Sequence, residues 1–67
     1  MKIILNNREE SFEPDQMTMN ELLAAKKFTF KMLVVKINGV LVKRHQFDQA
    51  IVKDGDDVMV LHLITGG

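Results

Sequence analysis

Two glycines close the sequence, and Gly66-Gly67 is the pattern in this chain with the most chemistry in it. A terminal carboxylate is a reactive group in its own right. Activated as an acyl-adenylate, it becomes an electrophile that a nucleophile can attack. Glycine has no Cβ, so a Gly-Gly end can enter a channel too narrow for any other residue. The bland alternative is a frayed end or an artificial addition whose composition means nothing. Context favours the chemical reading, because the tail leaves directly from the last expected strand. Thr65 and Gly66 would then thread a partner's channel and Gly67 would be the residue modified.

The remaining candidates are weaker. His45 and His62 stand seventeen residues apart without a motif, which reads as two surface histidines and not as a metal site. Asp54, Asp56 and Asp57 lack the spaced ligands and closing Glu of a calcium loop, so a turn is expected. Ser11 is the only serine and has no histidine near it in sequence. No glycine-rich phosphate loop is present, so any ATP would have to be bound by a partner. No metal and no bound cofactor are expected.

Composition sets the limits within which these residues act. The chain has 67 residues, with 9 Lys+Arg against 9 Asp+Glu, and no Cys, Trp or Tyr. A chain this short buries only about 60% of the surface it exposes when unfolded. A core that thin seldom also encloses a pocket of roughly 300 Å³ or more, which argues against an enzyme with its own active site. Without cysteine there is no disulfide framework, thiolate zinc site or thiol nucleophile. No signal peptide is evident, and strictly apolar runs such as Met32–Val35 fall far short of the roughly 18 residues of a membrane span. A cytoplasmic protein with neither membrane nor nucleic acid as a partner is expected. One asymmetry hides under the zero net charge. Lys26, Lys27, Lys31, Lys36, Lys43 and Arg44 lie between Leu22 and Phe47, a stretch with no acidic residue. That is either an unevenly charged solvated surface or a face that steers toward an acidic partner. The missing aromatic interleaving speaks against nucleic acid.

The elements that must position Gly67 are legible as alternations and turn signals. Met1, Ile3 and Leu5 share one parity, which predicts a half-buried strand. A turn at Asn7-Arg8 and a polar return strand over Glu9 to Glu13 would complete a hairpin. Thr18-Met19-Asn20-Glu21 has the form of a capping box and predicts a helix over about Met19 to Lys27. A strand follows over Met32 to Asn38, with Leu33, Val35 and Ile37 on one parity. Asn38-Gly39 signals a hairpin turn returning along Val40 to Val42. Lys43 to Val52 reads as irregular, anchored by Phe47 and Ile51, before an Asp54-Gly55-Asp56 turn and a last strand over Asp57 to Leu63. The predicted core is Ile3, Leu5, Leu22, Leu23, Leu33, Val35, Ile37, Val58 and Val60. This order argues an α+β fold, a mixed sheet with one main helix packed on one face.

A sheet covered by one helix has a second, open face. On the last strand Val58 and Val60 share one parity, while Met59, Leu61 and Leu63 share the other. Either the strand is central and covered on both sides, or Met59, Leu61 and Leu63 form an exposed docking patch. A flexible Met at such a surface suits binding two partners in turn.

The length, strand order and Gly66-Gly67 end resemble ubiquitin-like β-grasp proteins, and among them most closely the ThiS family of sulfur carriers in thiamin biosynthesis. The likeness covers essentially the whole chain. It is carried by Glu21-Leu22-Leu23, by Val35-Lys36-Ile37-Asn38-Gly39, by Arg44 and Phe47, and by Asp54-Gly55-Asp56. Lys43, where members often have Pro, and Thr65, where a smaller residue is common, depart from the pattern. The resemblance implies one β-grasp domain over 1–67 with a flexible tail at about 64–67, acting as a protein cosubstrate and not as an enzyme, monomeric when free. A ThiF-like adenylyltransferase would use ATP to adenylate the Gly67 carboxylate. A persulfide donor would convert it to a thiocarboxylate, and a ThiG-like thiazole synthase would receive the sulfur. Two rivals stay open: the MoaD-like small subunit of molybdopterin synthase, and a ubiquitin-like protein modifier or binding module.

Overall fold

The computed structural model describes residues 1–29 and 32–63. Seven strands and one α-helix occur among them: β1 Lys2–Leu5, β2 Arg8–Ser11, β3 Gln16–Thr18, α1 Met19–Ala25, β4 Leu33–Ile37, β5 Val40–Val42, β6 Ile51–Lys53 and β7 Asp57–His62. A single 3-10 turn at Arg44–Gln46 lies between β5 and β6. Five strands form a sheet in the order β2-β1-β7-β4-β5, and β3 pairs with β6 in a separate ladder. The sheet is mixed: β1 and β7 run parallel at its centre, whereas every other pair is antiparallel.

Alternation decides what each strand buries. In β1, Ile3 and Leu5 are buried while Lys2 and Ile4 are exposed. The turn that follows is Asn6-Asn7, with φ of 51° and 66°, and not the expected Asn7-Arg8. A two-residue hairpin loop of this hand needs positive φ at both central positions, which two asparagines tolerate and Arg8 would not. The return strand is correspondingly Arg8–Ser11 instead of Glu9 to Glu13, registering Leu5 on Arg8 and Ile4 on Glu9.

The Asn6 side chain continues the sheet where the backbone turns away. Its Nδ2 donates to the Val60 carbonyl at 3.0 Å, and its Oδ1 accepts the Val60 N–H at 2.8 Å. One carboxamide thus replaces a peptide unit in the parallel β1–β7 pairing. Asn6→Ala leaves both Val60 groups without these bonds and is expected to lower stability by about 1–2 kcal/mol, read as a drop in urea midpoint at unchanged slope.

Helix α1 begins where the capping box predicts. Thr18 Oγ1 accepts the Glu21 N–H at 3.1 Å, and Glu21 Oε1 accepts the Thr18 N–H at 2.9 Å. Met19, Leu22 and Leu23 form its buried face. It ends at Ala25, two residues before the expected Lys27, because Lys27 adopts φ of 58°. The Phe28 N–H then reaches the Leu23 carbonyl at 2.8 Å and the Lys27 N–H the Ala24 carbonyl at 3.1 Å, the paired bonds of a Schellman end. Glycine usually holds that left-handed position. Lys27→Gly is therefore expected to stabilise the fold by up to about 1 kcal/mol, the left-handed penalty less the added freedom of the unfolded chain.

The β3–β6 ladder is the part the sequence did not announce. Met17 lies opposite Val52 and both are buried, which turns Ile51 outward to 38% exposure. Phe47 is a core anchor as expected, but Ile51 is not. The 47–50 segment also accepts the first helical amides: Met19 N–H bonds to the Ala50 carbonyl and Asn20 N–H to that of Phe47. Of the predicted core, Ile3, Leu5, Leu22, Leu23, Val35, Val58 and Val60 are buried. Leu33 and Ile37 are only partly buried, because they end β4 opposite the exposed His62 and Val40.

Candidate functional site: the last strand and the open sheet face

Strand β7 carries the tail, and it is held along its whole length. Its core-facing Val58 and Val60 are buried, Val60 opposite Val35 and Val58 opposite Ile37. At its start, Asn38 Oδ1 accepts the Asp57 N–H at 2.8 Å, and the Asn38 N–H donates to the Asp57 carbonyl at 2.7 Å. In its middle, Asn6 grips Val60 from the other side. At its end, the Leu63 N–H bonds to the Met32 carbonyl at 3.0 Å. Ile64, Thr65, Gly66 and Gly67 come next in the sequence and lie outside the described residues.

The other face of the sheet is open and apolar. Leu61 is 47% and Leu63 45% exposed, and Met59 is half-buried beside them. The register places Val34 opposite Leu61 and Lys36 opposite Met59, with Leu41 beyond Lys36 on β5. Leu41 is 53% exposed, and Ile4, beside Asp57 on the same face, is also exposed. Val34, Leu41 and Ile4 thus extend the patch that sequence parity assigned to Met59, Leu61 and Leu63. Each is the off-core residue of its own strand, a signal that becomes usable only once the register is known. Lys36 is the basic residue set among these apolar side chains.

Leu63 has a second neighbourhood. It lines a cleft of about 650 Å³ between the end of α1, the start of β4 and the 3-10 turn. Leu23, Phe28, Leu33 and Phe47 give the cleft apolar walls, and Asn20, Arg44 and Asp48 its polar side. A thin core does not lead one to expect a cleft of this volume. It lies where α1, only seven residues long, stops beside the start of β4.

The weaker candidates have structural employment. Asp54 Oδ1 accepts the Lys2 N–H at 2.7 Å; Asp56 Oδ2 accepts the Lys53 N–H at 2.8 Å and its Oδ1 the Asn38 amide at 3.0 Å. The turn these aspartates build is the one expected. No group of three His, Cys, Asp or Glu side chains that could hold a metal ion occurs among the described residues. His45, His62 and Ser11 are exposed. Within the basic stretch, Lys26 is tied across to Glu10, its Nζ lying 2.9 and 2.8 Å from the two carboxylate oxygens. No helix among the described residues is long and apolar enough to cross a membrane.

With this geometry, the comparisons with known proteins agree on one family. The ThiS family model matches residues 2–67, a span that runs through Gly66 and Gly67. The chain belongs to the ThiS family. A crystal structure of the thiamine biosynthesis protein ThiS from Geobacter metallireducens is 32% identical, with full coverage of both chains and a TM-score of 0.89. A solution structure of a thiamine biosynthesis protein from the same organism is also 32% identical, covering all of this chain and 88% of that one at a TM-score of 0.81. No curated protein matches. The expected β-grasp fold is thereby established, and with it a ThiS role: a small sulfur carrier in thiamine biosynthesis. Such a carrier works with partner proteins.

Proposed function

We propose that this chain carries sulfur as a thiocarboxylate on Gly67 and delivers it for thiazole formation. The observation that carries the reading is the ThiS match extending through Gly66-Gly67 at the end of a firmly clamped central strand. The Gly67 carboxylate attacks the α-phosphorus of ATP on a ThiF-like adenylyltransferase, and pyrophosphate leaves. A persulfide donor then attacks the acyl-adenylate and expels AMP, forming an acyl persulfide. A thiol cleaves its S–S bond, leaving the thiocarboxylate on Gly67 and a disulfide on the donor side. A ThiG-like thiazole synthase takes the sulfur. ATP and every catalytic group belong to the partners, and the carrier works as a monomeric cytoplasmic cosubstrate.

In this reading Met59, Leu61 and Leu63 dock the partners while Thr65 and Gly66 thread the active-site channel. An alternation of buried valines with exposed large side chains on one strand supports the division of labour. Intact mass after incubation with ATP, a ThiF-like adenylyltransferase and a persulfide donor tests it. The expected gain is the difference between sulfur and oxygen, localised to Gly67. An unchanged mass, with the same enzymes active on another carrier, overturns the proposal. Lasting copurification with a large subunit would point instead to molybdopterin synthesis, and amide conjugates on target lysines to a protein modifier.

A further inference from the structure

The turn between β4 and β5 carries a reactive pair that sulfur transfer does not use. Of the asparagines at positions 6, 7, 20 and 38, only Asn38 precedes glycine. Without a Cβ, Gly39 lets its amide nitrogen approach the preceding side-chain carbonyl with the least hindrance. Both residues are exposed, with φ of 51° and 81°.

The Asn38 carboxamide also joins two turns. Its Oδ1 accepts the Asp57 N–H at 2.8 Å and its Nδ2 donates to Asp56 Oδ1 at 3.0 Å. The other Asp56 oxygen holds the Lys53 N–H, and the Asp56 carbonyl accepts the Ile4 N–H. Through these bonds one side chain ties the β4–β5 hairpin to the turn that starts β7 and to β1. The donor in that clamp is the group that deamidation removes.

We propose that Asn38 is a latent deamidation site, kept closed by the Asp56–Asp57 clamp, and that its conversion breaks the clamp irreversibly. The deprotonated Gly39 nitrogen bonds to Asn38 Cγ, the Cγ–Nδ2 bond breaks, and ammonia leaves with a proton from water. The resulting succinimide adds one water. Opening at one carbonyl gives aspartate; opening at the other gives isoaspartate, whose main chain is one carbon longer. No electrons are exchanged and solvent is the only co-reactant. The two side-chain hydrogen bonds fix the carboxamide on the 56–57 turn, so the attack awaits local opening of the hairpin. Afterwards a carboxylate faces the Asp56 carboxylate where a donor stood, and like charges replace a hydrogen bond.

The full chain is aged at mildly alkaline pH and its peptides are weighed over time, folded and in denaturant, beside Asp56→Ala. The expected result is exchange of an NH₂ for an OH at Asn38, split between two peptides of equal mass. Conversion should run several-fold faster in Asp56→Ala and in the denatured chain. Aged protein and Asn38→Asp should both melt below fresh protein. Prior conversion of Asn6, Asn7 or Asn20, equal rates folded and denatured, or an unchanged melting point after conversion would each overturn the proposal. If Asp56→Ala does not fold, the comparison of the folded with the denatured natural chain remains the test of the clamp.

Discussion

Adding a single alanine after Gly67 is expected to abolish thiocarboxylate formation while leaving the melting temperature unchanged. The expected loss exceeds about 100-fold, the scale on which a misplaced reacting group fails. In the extended chain the carboxylate belongs to a residue with a Cβ, placed one residue beyond the reacting position. Deleting Gly67 should fail equally, because the carboxylate then stops one residue short. Neither change touches β7, whose anchors lie at Asp57, Val60 and Leu63. Intact mass after the adenylation and sulfur-transfer reaction reads the loss, and a thermal melt reads the fold. Full activity in the extended chain would refute the assignment of Gly67.

Leu61→Asp is the second large effect. Leu61 is 47% exposed on the open face, so the substitution creates no core defect and stability should stay within about 0.5 kcal/mol. Binding to the adenylyltransferase should weaken by at least about 2 kcal/mol, since an apolar anchor becomes a charge that must be desolvated on docking. Titration calorimetry measures it directly. Val60→Asp is the contrasting control: its side chain is one residue away, faces the core and is 6% exposed, so that variant should unfold. If Leu61→Asp bound its partner like the natural chain, the open face would not be the docking surface.

How much of this was legible depended on element length. Strands β1, β4 and β7 show their alternation because each has at least four residues, and the capping box and Asn38-Gly39 name their turns by residue type. Strands β3 and β6 have three residues each, too few for a period to emerge, so Val52 was passed over for Ile51 as an anchor. The first hairpin was misplaced by one residue because two adjacent asparagines both accept left-handed angles, and only the β1–β2 register separates the choices. At the site, Met59 and Leu61 were legible as the off-core residues of an apolar strand. Their neighbours Val34 and Leu41 are set beside them by cross-strand register, which no local pattern contains. The cleft beside Leu63 depends on where a short helix stops relative to β4, again a tertiary matter.

The parallel pairing of β1 with β7 joins residues 4 and 5 to residues 57 and 58 at the middle of the sheet. Nearly the whole chain must therefore exist before the central pair can close, and such long-range closure is a slow step in folding. Until then β1 has β2 as its partner on one edge, while Ile3 and Leu5 lack the core residues that β7 supplies. A truncated chain that lost β7 would lose the centre of its sheet as well as its tail. The strand that precedes the tail is thus paired and clamped only in a chain that has closed the whole sheet.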